Sequence, residues 1–295
     1  MLSTKNLNDG VKNFDDEEEI TIFEAPRDIS FTNFLRNLLK KGKLKEKYIN
    51  ILLDKDSLKE YSNAFTSDTA DELNNYEIYE QLGDLAINKF IVHYMYNRFP
   101  ILKKSAKYVK IVARLRINYG SKQTFFDIAQ NLGFWNFITA SDQERSTKMK
   151  SLCEDTFESF IGVTESLLDS KIRNGVGYAI VYDILSSIFD DIYISLKYED
   201  LFDNKTRLKE LFDHFGKDAV GTLEYVDTKD MTTKISTSII YQNLGFSKIQ
   251  LGQGSAALKA DAQQRAAQNA LAKLKNMGYV KPVDEIYKEI NQNII

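Results

Sequence analysis

Apolar positions recur at three- and four-residue spacing through most of the chain between residues 29 and 196. Ile29, Phe31, Phe34, Leu35, Leu38 and Leu39 form one stripe, Ile87, Ile91, Tyr94 and Met95 a second, and Ile180, Val181, Ile184, Leu185 and Ile188 a third. Such spacing keeps each set on one face of a helix and predicts a helical segment from Ser30 to about Leu196. The polar run from Tyr198 to Lys205 breaks the pattern and predicts a linker. Beyond it the period changes. Leu208, Leu211, Phe212 and Phe215 form a short helical stripe ending at Gly216; residues 223–226, 234–241 and 247–251 have strand character; Ala262, Ala266, Ala267, Ala270, Leu271 and Leu274 mark a second helix before Gly278. The pattern predicts a mainly α domain over 26–197 and a small α+β domain, α-β-β-β-α in order, over 203–278. Residues 279–295 form a tail whose Ile286, Ile290 and Ile294 line one face of a short amphipathic helix, and residues 1–25 read as a flexible extension.

Composition narrows the chemistry. The 295 residues are 43% hydrophobic and 27% charged, close to the globular average, which excludes a chain disordered throughout and a membrane bundle. No apolar run is long enough to span a bilayer, and the N-terminus lacks a basic segment followed by an apolar one; no membrane association and an intracellular, cytoplasmic location are expected. The single cysteine, Cys153, excludes an internal disulfide framework and a cysteine-based zinc site. With His93 and His214 the only histidines, any enzymatic chemistry should come from carboxylates. Three further residues get structural readings: His93 packed within its helix, Cys153 small and buried, Trp135 filling a core.

The net charge of −3 hides segregation along the chain. Asp15 to Glu19 form an acidic run of the kind found in solvated tails. From Leu85 to Phe126 there is no acid, while Lys89, Arg98, Lys103, Lys104, Lys107, Lys110, Arg114, Arg116 and Lys122 are all cationic. Those residues form either a solvated helical face or a surface that meets phosphate, since clustered cations bind nucleic acid through counterion release.

Two acidic segments carry the sharper signal. Glu77, Glu80 and Asp84 stand at i, i+3 and i+7 and share a helix face; Asp155 and Glu158 repeat the device at i, i+3. Both sets lie among apolar residues beside a glycine, Gly83 or Gly162, that lets helices approach closely. Carboxylates that converge in a poorly solvated crevice must take up protons or hold a cation, and hard oxygen donors suit Mg²⁺ or Mn²⁺.

Residues 77–84 resemble the ribonuclease III signature, usually written NERLEFLGD, and residues 154–162 resemble that family's second carboxylate segment, ADxxEAxIG. Both occur in the family's order and precede an α-β-β-β-α unit similar to a double-stranded-RNA-binding domain. The resemblance implies a ribonuclease III-like helical endonuclease domain over 26–197 and an RNA-binding domain over 203–278. It implies hydrolysis of duplex RNA by a homodimer that leaves short 3′ overhangs. Glu80, Asp84, Asp155 and Glu158 become the metal ligands, with Mg²⁺ as cofactor and Mn²⁺ as substitute, and Glu77 becomes an interface or site residue beside them. The alternative is a non-catalytic protein of the same fold that binds RNA or the ribosome.

The departures are specific. Where the family carries a further acid this chain has Lys103-Lys104-Ser105, and Tyr76, Ile78, Tyr79 and Gln81 replace commoner signature residues. In the second domain, Thr206 and Lys209 stand at the minor-groove positions of the first helix, with Asp213 beyond them. Gly252-Gln253-Gly254-Ser255 resembles a phosphate site at a helix N-terminus, with Ser255 as N-cap. Lys259 and Arg265 are the remaining cations of that helix's first turns, and the loop after Val226 lacks the expected histidine. An alternative use of this unit is protein contact or dimerisation. The thin set of cations here shifts the expected grip on RNA toward Lys103, Lys104, Lys107 and Lys110.

Overall fold

A computed structural model describes residues 20–292; the acidic run at 15–19 and Ile294 lie outside the described residues. In chain order the elements are β1 (Ile22–Phe23), α1 (Ile29–Lys40), α2 (Glu46–Leu52), α3 (Lys55–Ala64), α4 (Glu77–Arg98), α5 (Val109–Tyr119), α6 (Lys122–Leu132), β2 (Ala140–Ser141), α7 (Asp142–Thr147), α8 (Met149–Lys171) and α9 (Val176–Phe189). Then follow α10 (Tyr198–Leu201), α11 (Asn204–Phe215), α12 (Lys217–Val220), β3 (Thr222–Lys229), β4 (Ser236–Leu244), β5 (Ser247–Ala256), α13 (Lys259–Asn276) and α14 (Glu285–Gln292). Among the described residues no helix is long and apolar enough to cross a membrane.

The described residues form two compact units: 20–89 with Ser121–Phe189, and Phe90–Gly120 with 190–292. This division cuts across the sequence segments, because α4 runs out of the first unit into the second and α5 belongs with the C-terminal part.

The first unit is built around α8, which is buried over most of its middle: Leu152, Cys153, Phe157, Phe160, Ile161 and Val163 are all inaccessible. Phe134 stacks edge-on to Phe160 at 5.8 Å and to Phe34 at 5.2 Å, and Phe31 meets Phe65 at 5.2 Å, so aromatic packing fills the space beneath α1 and α3. Local signals start the helices where the sequence offers a cap. Asp28, Asp54, Ser121 and Ser141 each accept the backbone N–H two or three residues on.

Residues 22–25, expected to be part of a flexible extension, are held in the fold. Ile22 and Phe23 pair antiparallel with Ser141 and Ala140, and Arg27 donates to Ser62 Oγ, the Phe137 and Phe65 carbonyls and Thr139 Oγ1. Trp135 does not fill a core: it is half-buried beneath the Arg145 guanidinium at 3.9 Å, while Phe134 takes the interior position.

In the second unit, β3, β4 and β5 form an antiparallel sheet in that order, with Thr222 opposite Asn243 and Ser236 opposite Ala256. Leu208, Leu211 and Phe212 of α11, Ile240 and Leu251 of the sheet, and Ala266, Ala267, Ala270 and Leu274 of α13 close one core. Small alanines and glycines let α13 lie close to the sheet: a Cβ on Gly252 would meet the Ala266 carbonyl at 2.2 Å, and one on Gly254 the Ala262 carbonyl at 2.5 Å. This corrects the reading of Ser255 as the N-cap of the alanine-rich helix. β5 continues to Ala256, the N-cap of α13 is Leu258, and Ser255 pairs its hydroxyl with Thr237 at 2.8 Å across the strands. The linker expected at 198–205 is also structured, since α10 buries Leu201 and Asp203 caps α11. His93 lies exposed on α4 instead of packed.

Candidate active site

Two glycines set the geometry. Where α4 crosses α8, a Cβ on Gly83 would lie 1.8 Å from the Glu158 carbonyl and one on Gly162 2.0 Å from the Tyr79 carbonyl, so only hydrogen at both positions permits this contact. The crossing brings the acidic faces together. Glu80 of α4 and Asp155 and Glu158 of α8 place carboxylate oxygens within 4.8 Å of one another. Asp84, one turn further along α4, accepts from the Asn88 side-chain amide at 2.7 Å and stands outside that set. Glu77 is exposed at the start of α4.

Burial and mutual repulsion then act in the same direction. Glu158, 7% exposed, is pushed up to about 8 by burial and by the charges of Asp84, Glu80 and Asp155. Burial, with Asp155 and Glu77, raises Glu80 to about 7. Asp155 rises to about 6, again chiefly by burial, although Lys122 and a hydrogen bond from Tyr76 pull against it. A group of acids held this way is short of positive charge. Its donors are all carboxylate oxygens, the set a hard divalent cation takes.

Residues outside the acidic segments complete the site. Lys122, at the start of α6, forms an ion pair with Glu154 and has its Nζ 4.0 Å from Asp155. Tyr76, only 4% exposed, donates from its hydroxyl to Asp155 Oδ2 at 3.4 Å. Sequence reading groups Lys122 with the neighbouring cations and treats Tyr76 as a mere departure; no local signal marks either, because both reach Asp155 across the fold. Tyr79, another departure, donates to Glu60 Oε2 at 2.6 Å and ties α4 to α3. Cys153 is buried as expected, and burial raises its thiol to about 11.

The residues assigned to RNA fall in the second unit. Lys103 donates to Asn97 Oδ1 at 2.9 Å and Lys104 is exposed, whereas Lys107 pairs with Glu289 at 2.5 Å and Lys110 with Asp284 at 2.6 Å. In the sheet-and-helix part, the Thr206 hydroxyl donates to Asp203 at 2.7 Å, Lys209 is exposed, Lys259 pairs with Asp227 at 3.0 Å and Arg265 donates to the Ser255 carbonyl at 2.7 Å.

Comparison with known proteins gives the same two parts. Residues 77–165 match the Ribonuclease III domain and residues 204–274 the double-stranded RNA binding motif. A putative ribonuclease 3 of Invertebrate iridescent virus 6 is 42% identical over 282 residues, covering 91% of this chain and 94% of that protein. A putative ribonuclease 3 of Frog virus 3 (isolate Goorha) is 37% identical over 254 residues, 85% of this chain and 65% of that longer protein. The ribonuclease 3 of Anoxybacillus flavithermus is 28% identical over 201 residues, 67% of this chain and 77% of that one. Carboxylates from both acidic segments meet at a glycine crossing, ahead of a three-stranded RNA-binding fold, in a chain that aligns with these relatives over most of its length: the protein belongs to the ribonuclease III family.

Proposed function

We propose that this double-stranded-RNA endoribonuclease acts as a homodimer with Mg²⁺, or Mn²⁺ in its place, each subunit cutting one strand so that short 3′ overhangs remain. The observation that carries the reading is the convergence of Glu80, Asp155 and Glu158 within 4.8 Å, the first two half-buried and Glu158 buried, and all short of positive charge. These three with Asp84 would hold the cation, and Glu77 would act beside them. Once bound, the ion would neutralise charge on the scissile phosphate and acidify a water. The chain's own part is positional. Tyr76 and Lys122 favour the charged form of Asp155 against its burial and orient it, and the glycine crossing keeps the acids from spreading apart.

Pairing of two copies has its own support. Ile78, Leu82 and Leu85 stand at i, i+4 and i+7 on α4 and are 72%, 43% and 64% exposed, an apolar stripe beside the acidic face. A second copy presenting the same stripe would cover both by two-fold symmetry. Under this reading residues 26–197 supply the nuclease and 203–278 the duplex-binding part. Thr206, Lys209, Ser255, Lys259 and Arg265 meet RNA there, and Lys103, Lys104, Lys107 and Lys110 meet phosphate. A cytoplasmic setting goes with the substrate.

The test is cleavage of long labelled duplex RNA, with duplex DNA alongside, in Mg²⁺, Mn²⁺, Ca²⁺ and EDTA, with mass by light scattering. RNA should be cut with Mg²⁺ or Mn²⁺ alone, DNA not at all, and Leu85→Glu should yield a monomer. A folded dimer that cuts nothing in either metal would instead support a structural RNA-binding role.

A further inference from the structure

The basic face around α5 already has an anionic partner, and it comes from the same chain. Lys107 and Lys110 lie in a stretch that has no acid of its own from Leu85 to Phe126. Their carboxylates are supplied by Glu289 and Asp284, 182 and 174 residues further along. Glu289 also accepts from the Tyr108 hydroxyl at 3.1 Å. The segment that brings these acids is held by a different kind of contact. Ile286, Tyr287 and Ile290 of α14 are buried, and the Tyr287 ring lies 5.4 Å from Tyr198 and 6.0 Å from Phe202. Just before α14, Lys281 pairs with Glu210 at 2.5 Å and so anchors the root of the tail to α11.

Apolar burial thus holds the helix while its acids lie on cations. The pairs are solvent-exposed at about half of each side chain, so they add little to stability and are open to exchange. A row of phosphates offers the same lysines a stronger counter-charge, with release of condensed ions.

We propose that α14 is a built-in competitor for duplex RNA: Asp284 and Glu289 stand in for two phosphates on Lys110 and Lys107 and are displaced when the duplex docks. The proposal rests on the reading of these lysines as phosphate-facing. RNA affinity is thereby lowered in the resting chain, and non-specific polyanions are excluded from this face unless they can displace the tail.

The test compares the full-length parent with Asp284→Asn/Glu289→Gln, which keeps the apolar face of α14, and with Lys107→Gln/Lys110→Gln. Each is titrated with a duplex RNA in EDTA across a salt series, and hydrogen exchange of residues 283–292 is followed with and without RNA. The acid-neutralised variant should bind several-fold tighter at low salt, with a slope steeper by up to about 1.4 to 1.8 for two freed contacts. In the parent, RNA should speed exchange in α14. Parent-like binding by the acid-neutralised variant, or unchanged exchange in the parent, overturns the competitor role while leaving the RNA reading intact. If Lys107→Gln/Lys110→Gln binds as the parent does, these lysines do not meet phosphate and the proposal fails with the reading beneath it.

Discussion

Glu80, Asp155 and Glu158 converge with one ammonium group, that of Lys122, beside them, whereas Lys107, Lys110, Lys248 and Lys259 each reach an acid within their own unit. One region concentrates like charge with a single ammonium to relieve it; in the other, these four cations are neutralised by acids of the same unit. The first therefore favours a compact cation as a consequence of its own folding, because any dication placed there removes repulsion and desolvation together. The second favours a polyanion only by exchanging partners, so its affinity is a difference between two sets of contacts.

The strongest way to break the acidic side of this contrast is Glu158→Gln. It keeps size and removes one charge, and single-turnover cleavage should fall at least about 10²-fold while RNA binding holds or tightens. Glu77→Gln, at the exposed edge, should cost less. Parent-like cleavage by Glu158→Gln would make that residue a bystander.

Gly83→Ala attacks the same region through its backbone. The added carbon meets the Glu158 carbonyl, so α4 and α8 must part and the carboxylates spread. Destabilisation of about 1–3 kcal/mol is expected, read as a lower melting temperature, with loss of cleavage. An unchanged melt would show that the crossing does not fix the spacing.

Acidity sharpens the picture further. Glu80, Asp155 and Glu158 have folded values raised to about 7, 6 and 8, above the roughly 4 of an unfolded chain, so the native state binds more protons across that window. In EDTA the contribution of these groups to stability is retained below the unfolded value and falls as pH rises through about 8. Melting temperatures measured in EDTA should drop across that range, and saturating Mg²⁺ should remove the drop. Equal profiles with and without the ion would mean that no cation relieves these acids.

The smallest effects belong to the cations of the second unit. Replacing Lys103 and Lys104, which have no acid partner among the contacts described, by Gln should lower the salt slope of RNA binding by roughly 0.7 to 0.9 per phosphate contact. Lys259→Gln should lower it less, because Asp227 already holds that ammonium. A larger change for Lys259 would place the main grip in the sheet-and-helix part.

The sequence by itself determined the helical and strand periods, the order of the two parts, the acidic faces and the need for glycine at 83 and 162. Those are local properties: a 3.6-residue period fixes which side chains share a face, and an apolar stripe fixes which face turns inward. Partnerships between distant segments depended on the tertiary structure. Packing brought Glu80 to Asp155 and Glu158, and it set Lys122 at the site instead of on a general basic surface. It also carried β5 through Ser255, put Phe134 inside in place of Trp135, and delivered Asp284 and Glu289 to Lys110 and Lys107. No local pattern encodes such pairings, because a charge reads the same in sequence whether its neighbour in space is water, a phosphate or an acid from the far end of the chain.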